Sequence, residues 1–356
     1  MNTTTPLRRR RQGFTLLELV IAIGIATFVV AALYSLFLAQ SRQFQFQDLQ
    51  MEMHQNVRFG TDTLTGNIRM AGFNTNGFGV GELGSSGTGP GIVPNVTMPA
   101  IIPWDSDTGP DAITIMYADP LTLIESDPTE RQDCGDSFLV FDTARLDNLN
   151  RLGTYEANEY ILCHDYTNRA SSTFLWRTDR PANVGTGQLH YTRLSGSPTF
   201  ADFNAACPVG DDLPPILRCG EAKIMTFYID DDDDGIGPGS PDHPVLMMDS
   251  DFNWPDADDV PIVDNIEDLQ FQYCIEQPGN GCNDPALWSD TFNVAVADQI
   301  WSVRMHLVVR SSQEDPRGQF PGQRPALGNR PASSDTDHYY RQVLTTEVSL
   351  RNIRIL

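Results

Sequence analysis

The chain has 356 residues, 47 of them acidic and 24 basic, for a formal charge of −23, and Lys223 is its only lysine. That balance excludes nucleic acid as the main partner: phosphate binding needs clustered Lys and Arg, and the one such cluster, Arg8 to Arg11, sits at the very start.

In chain order, Arg8-Arg9-Arg10-Arg11 lead through Gln12-Gly13 into Phe14-Thr15-Leu16-Leu17-Glu18 and then an apolar run. From Leu19 to Ala39 there are 21 residues without a charge. At about 1.5 Å per residue they can cross a hydrocarbon core about 30 Å thick. Four arginines before the run and none inside it orient the basic end to the cytoplasm and everything after Gln40 outside. A secretory signal peptide would carry its small-residue step after a shorter apolar core, whereas Gly13 precedes this one.

Gly13 followed by Phe14, with Glu18 fifth after the junction, resembles the class III signal of type IV pilins and pseudopilins. The resemblance implies that an inner-membrane prepilin peptidase removes the leader 1–13 by cutting between Gly13 and Phe14 and methylates the new amine of Phe14. The mature chain would then carry −27. It also implies that Glu18 pairs with the N-terminal amine of a neighbouring subunit during filament assembly. Such a role would account for a carboxylate that costs about 2.5–3.5 kcal/mol inside a span. The plainer reading, in which Glu18 snorkels to the interface and favours the helix N-terminus, stays open.

After the transmembrane segment 14–40, Phe46, Leu49, Met53, Val57, Leu64 and Ile68 recur at helical spacing, with Gln45, Gln47, Gln50, Glu52, Arg58 and Asp62 between them. The pattern predicts an amphipathic continuation of the same helix over 41–72, and no proline between Pro6 and Pro90 breaks it. Many major pilins carry a softening proline in this helix. Its absence points to a subunit outside the repetitive shaft. Residues 73–110 are rich in Gly, Ser, Pro and Thr and read as a loop.

From 111 to 356 the patterning is β. Short apolar or alternating runs at Ala112–Ala118, Ser137–Asp142, Glu159–His164, Thr173–Thr178, Leu189–Leu194, Ala222–Ile229 and Val245–Met248 are bounded by Gly, Pro and Asp. Ile300–Arg310 alternates most clearly, and Ile266–Ile275 and Val343–Ile353 are also extended. The predicted class is α+β: a long N-terminal helix packed on an antiparallel sheet, with an enlarged β-rich, disulfide-bonded region. The six cysteines, Cys134, Cys163, Cys207, Cys219, Cys274 and Cys282, all lie on the exported side, where disulfides form. Of the 15 pairings that six cysteines allow, the expected one is sequential: Cys134 with Cys163, Cys207 with Cys219, Cys274 with Cys282. A zinc site is disfavoured, because only His164 beside Cys163 approaches ligand spacing.

Three C-terminal blocks narrow the resemblance further. They are Ile262-Val263-Asp264-Asn265-Ile266-Glu267-Asp268-Leu269-Gln270-Phe271-Gln272-Tyr273, then Ile300-Trp301-Ser302-Val303-Arg304-Met305-His306-Leu307-Val308-Val309-Arg310, then Tyr340-Arg341-Gln342-Val343-Leu344-Thr345-Thr346-Glu347-Val348-Ser349-Leu350-Arg351-Asn352. With the N-terminal motif, the resemblance covers about the first 70 and the last 95 residues. The blocks resemble those of the PilW family of minor pilins, and this resemblance implies a type IV pilin-like fold. It also implies a role in pilus assembly or initiation, in a tip or priming complex, with other minor and major pilins, the inner membrane and a tip adhesin as partners. Two other readings stand beside it: a minor pseudopilin of a type II secretion system, and a calcium-dependent adhesin at the pilus tip.

Chemistry is sparse. Asp230, Asp232 and Asp234 ahead of Gly235 follow the D-x-D-x-D-G order of a calcium loop, although Pro241 stands where the bidentate Glu belongs, so Asp242, Asp249 or Asp251 would have to help. A solvated acidic hairpin is the competing account. No other cofactor is expected. The six histidines show no H-E-x-x-H spacing and no G-x-S-x-G occurs, so no enzymatic activity is expected.

Overall fold

The computed structural model describes residues 15–75, 100–130, 137–165, 173–192, 216–230, 243–250, 259–275, 281–291, 300–315, 318, 320–334, 336–350 and 352. The chain divides into two compact units, Met1–Glu52 and Met53–Leu356. Helix α1 spans Leu16–Met70, and Gly72 just beyond it takes a φ of 76°, a left-handed conformation suited to a chain leaving a helix.

The second unit follows with β1 (Ile101–Trp104), β2 (Ala112–Ala118), β3 (Ile124–Glu125), β4 (Phe138–Val140), α2 (Leu146–Leu152), β5 (Tyr160–Asp165), β6 (Thr173–Thr178), β7 (Gln188–Thr192) and β8 (Leu217–Asp230). Next come β9 (Val245–Asp249), β10 (Val260–Asp264), β11 (Ile266–Ile275), β12 (Trp288–Ser289), β13 (Ile300–Glu314) and β14 (Tyr339–Ser349). They form two antiparallel sheets. The larger runs β1-β2-β8-β5-β6-β7-β4, with β3 and β9 also on β8 and β10 on β9, and the smaller runs β12-β11-β13-β14.

Three differences from the sequence reading have physical causes. The segment 73–110 is not all loop: Ile101–Trp104 pairs with Ile115–Ala112 as the outermost strand, an edge where Pro103 forfeits no interior ladder bond. Helix α2 was hidden because Arg145 at its N-cap makes no side-chain cap. The expected sequential disulfides also fail at Cys163. It pairs with Cys219, 56 residues on, because β5 and β8 set the two directly opposite with Cα atoms 4.0 Å apart. Cys274–Cys282 forms as expected. Cys134 and Cys207 lie outside the described residues.

Within the second unit, Met53, Val57, Leu64 and Ile68 of α1 bury against Ile113, Ile115, Phe227, Leu246, Leu269, Phe271, Met305 and Leu307, drawn from both sheets. The helix approaches closely at Gly60, where an added Cβ would stand 3.3 Å from Leu307 Cδ2 and 3.7 Å from both Leu246 Cδ2 and Val263 Cγ2. Gly60→Ala meets only side-chain ends and gains helix propensity, so the urea midpoint of the full chain in detergent should stay near wild type. Gly60→Leu should cost about 1–3 kcal/mol through overpacking, and an unchanged midpoint would refute the close approach.

A second core gathers Leu139, Phe141, Leu152, Tyr155, Ile161, Trp176, Leu189 and Tyr191 around the Cys163–Cys219 bridge, with Trp176 and Tyr191 stacked at 4.2 Å. Its strands belong to residues 119–221, a stretch bracketed by Ala118 and Ala222, which are cross-strand partners on β2 and β8.

Candidate assembly site

Helix α1 opens with a hydrogen-bonded first turn. Thr15 N donates to Glu18 Oε2 at 2.9 Å, Thr15 Oγ1 donates to the same oxygen at 3.0 Å, and Glu18 N donates to Thr15 Oγ1 at 3.3 Å. This reciprocal pattern is a capping box, which satisfies amide donors that a helix start leaves without partners. Its signal is local, Thr15-Leu16-Leu17-Glu18 ahead of an apolar run, and it adds Thr15 to the expectation that Glu18 favours the helix N-terminus. Gly13 and Phe14 lie outside the described residues.

From Thr15 to Gln40 every residue is exposed, including Leu16 at 80% and Phe28 at 78%. So much apolar surface requires lipid or other protein around it. The hydroxyls of Thr27 and Ser35 are already satisfied within the helix: Thr27 Oγ1 donates to Gly24 O at 2.9 Å and Ser35 Oγ to Ala32 O at 2.8 Å, so neither demands water in the hydrocarbon.

In the C-terminal sheet the quoted blocks meet. Arg341 of β14 reaches past β13 to Glu267 of β11 (Nη2 to Oε1, 2.7 Å) and also binds Asp337 (Nη1 to Oδ1, 2.7 Å), whose carboxyl it holds below its usual pKa. Arg310 lies opposite Arg341 in register and stacks on the Tyr339 ring at 4.5 Å. His306 bonds Thr345 Oγ1 through Nδ1 at 2.9 Å and Gln272 Oε1 through Nε2 at 3.3 Å, and burial followed by nearby Arg304 lowers its pKa. It is a packed polar residue of the sheet.

Comparison with family models supplies two matches. Residues 8–34 match the prokaryotic N-terminal methylation motif, and residues 226–352 match type IV pilus-assembly protein W. Residues 226–352 are thus similar to the PilW family, and the start of the chain is similar to that of prepilins. The two matches support a membrane-anchored, type IV pilus-related minor pilin, and the PilW match runs from the end of β8 through β14, taking in the whole smaller sheet. Neither match covers residues 35–225, where the second core lies. Comparison with curated proteins and with solved structures finds no match.

The remaining sequence-derived residues fare unequally. Asp230 ends β8 with 8% exposure, whereas Asp232, Asp234, Asp242 and Asp251 lie outside the described residues and Asp249 is buried on β9. Among the described residues, no three His, Cys, Asp or Glu groups stand close enough to hold a metal on their own. Cys163, the one cysteine with a neighbouring histidine, is committed to its disulfide.

Proposed function

We propose that this chain is a minor pilin of the PilW family that takes part in initiating type IV pilus assembly, within a tip or priming complex. The observation that carries the reading is the coexistence in one chain of the prepilin-type start, its exposed apolar helix, and the C-terminal PilW region. In this reading the chain is inserted with its domain in the periplasm, prepilin peptidase cuts between Gly13 and Phe14, and the new amine of Phe14 is methylated. The 14–40 segment is then transferred from lipid to the apolar interior of a filament, with 41–72 continuing as helix and the residues beyond 110 forming the exported globular domain.

Glu18 has two tasks in that transfer. In the isolated chain its carboxylate is occupied by the amide and hydroxyl of Thr15. In the assembled state it pairs with the Phe14 amine of a neighbour. The capping bonds are local and small, about 1 kcal/mol, so a full positive charge brought into low dielectric can displace them.

Glu18→Ala should leave membrane insertion and cleavage intact. It should prevent complementation of pilus assembly in a strain lacking this chain, scored as surface pili by electron microscopy. Normal piliation with Glu18→Ala would remove the assembly role of Glu18. Normal piliation of the deletion strain itself would overturn the initiation reading.

A further inference from the structure

Away from the helix, four separated segments bring oxygen atoms together. The loop after β1 supplies Asp105 and Asp107, β11 supplies Gln270, the residue after β12 is Asp290, and a turn closed by the Leu327–Arg330 bridge presents Gly328 and Asn329. Asn329 Nδ2 donates to Asp105 Oδ1 at 2.7 Å and to Asp107 Oδ1 at 2.9 Å, which gathers both carboxylates around one amide. From the other side, a Cβ on Gly328 would meet Asp290 Oδ1 at 3.3 Å and Gln270 Oε1 at 3.4 Å. Gly328 has φ +54° and no side chain, so the space between these oxygens stays open.

Two features distinguish this place from an ordinary acidic surface. Gln270 is fully buried, and its Nε2 is used by Gly109 O at 3.1 Å and Asp268 Oδ1 at 3.2 Å, yet its Oε1 has no hydrogen-bond partner. Asn329 Oδ1 is likewise buried without a donor. A buried acceptor left without a donor costs about 1–3 kcal/mol, so Gln270 Oε1 beside Asp290 indicates a missing positive partner, which Asn329 Oδ1 can join once its amide turns over. None of Asp105, Asp107 and Asp290 makes an ion pair among the described residues, and the two arginines of the adjacent loop, Arg324 and Arg330, are both held by Asp268.

We propose that Asp105, Asp107, Asp290, Gln270 and Asn329 form a calcium site. Every donor is oxygen and none is nitrogen or sulfur, which selects a hard cation. The three carboxylates do not make a metal-holding group by themselves, and Gln270 Oε1 and Asn329 Oδ1 would have to supply the remaining donors. Turning the Asn329 amide over would exchange Nδ2 for Oδ1 opposite Asp105 and Asp107, a change of almost no volume. Donors arriving from four segments suit the six to eight flexible ligands of calcium better than the compact octahedron of magnesium. This site is separate from the Asp230–Asp234 run, and it would tie the 105–107 loop to the 328–329 turn.

The test uses the full chain in detergent, stripped with EDTA and dialysed, then melted with 1 mM calcium or 1 mM magnesium and titrated with calcium by calorimetry. Calcium should raise the Tm by roughly 3 °C or more, with magnesium clearly weaker. The shift should persist in Asp232→Asn/Asp234→Asn and vanish in Asp105→Asn/Asp107→Asn. Asn329→Asp adds a ligand charge and should tighten calcium binding by about tenfold while lowering the Tm of the calcium-free protein. The proposal is overturned by no shift in the wild type, by an equal magnesium effect, by a shift that follows Asp232 and Asp234 instead, or by unchanged calcium affinity in Asn329→Asp.

Discussion

Replacing Asp268 by Ala is expected to destabilise the chain by about 3–5 kcal/mol, because it strands two buried guanidinium groups. Asp268 is fully buried on β11 and pairs with Arg324 Nη1 at 2.9 Å and Arg330 Nη1 at 2.8 Å. Arg324 also donates to the carbonyls of Pro331 at 2.6 Å and Pro325 at 3.3 Å, so the carboxylate fixes the 324–331 loop to the sheet as well as balancing charge. Urea unfolding should show a lower midpoint with an unchanged slope. A loss below about 1 kcal/mol would mean that both arginines escape to solvent and that the loop is held by other contacts.

Stability should also fall as pH rises from about 4 to 7, and Asp111 is the cause. Its carboxyl is buried and pushed up to about 7, chiefly by desolvation, although Phe271 N at 2.9 Å and Ser106 N at 3.0 Å both donate to it. The unfolded chain ionises this group near 3.8. Between the two values the folded state holds the extra proton, so raising the pH favours unfolding, and above about 7 the loss is complete. The full effect is on the order of 4 kcal/mol. Chemical denaturation at pH 4.5, 6 and 8 should show the decline. Asp111→Asn should flatten it, at the expense of one acceptor for the two amides. An equal slope in wild type and variant would assign the pH dependence to other groups. Calcium bound beside Asp105 would also draw the Asp111 pKa down and shift this profile to lower pH.

Much of the architecture was readable because periodicity is a local property. β2, β6 and β11 occupy the ranges that alternation and turn residues marked, and β13 extends only four residues past the run that ended at Arg310. Of the expected helix face, Met53, Val57, Leu64 and Ile68 are buried, Leu49 is half-buried and Phe46 is exposed. What escaped depends on partners far along the chain. β1 exists because Ile115 and its neighbours offer an edge, and nothing within Ile101–Trp104 declares it. The Cys163–Cys219 bridge follows from β5–β8 register, which loop composition does not encode. Asp268 looks from its neighbours like any acid in a polar-alternating strand, and only Arg324 and Arg330, more than 50 residues on, make it central. The capping box at Thr15 is, by contrast, local and legible, since Thr15 and Glu18 stand three residues apart ahead of an apolar run.

Ala118 and Ala222 face each other across β2 and β8, so the 119–221 excursion leaves and returns at one point. Geometrically it is a cartridge inserted into a hairpin. Its removal would leave β2 and β8 able to close through a short turn, with the main core, both strands under the helix and the whole smaller sheet intact. The bonds given up at the seam would include those from Asn74 Nδ2 to Leu162 O and Arg218 O. An ancestral or engineered chain could gain or lose the second core in one step without disturbing the register of the first.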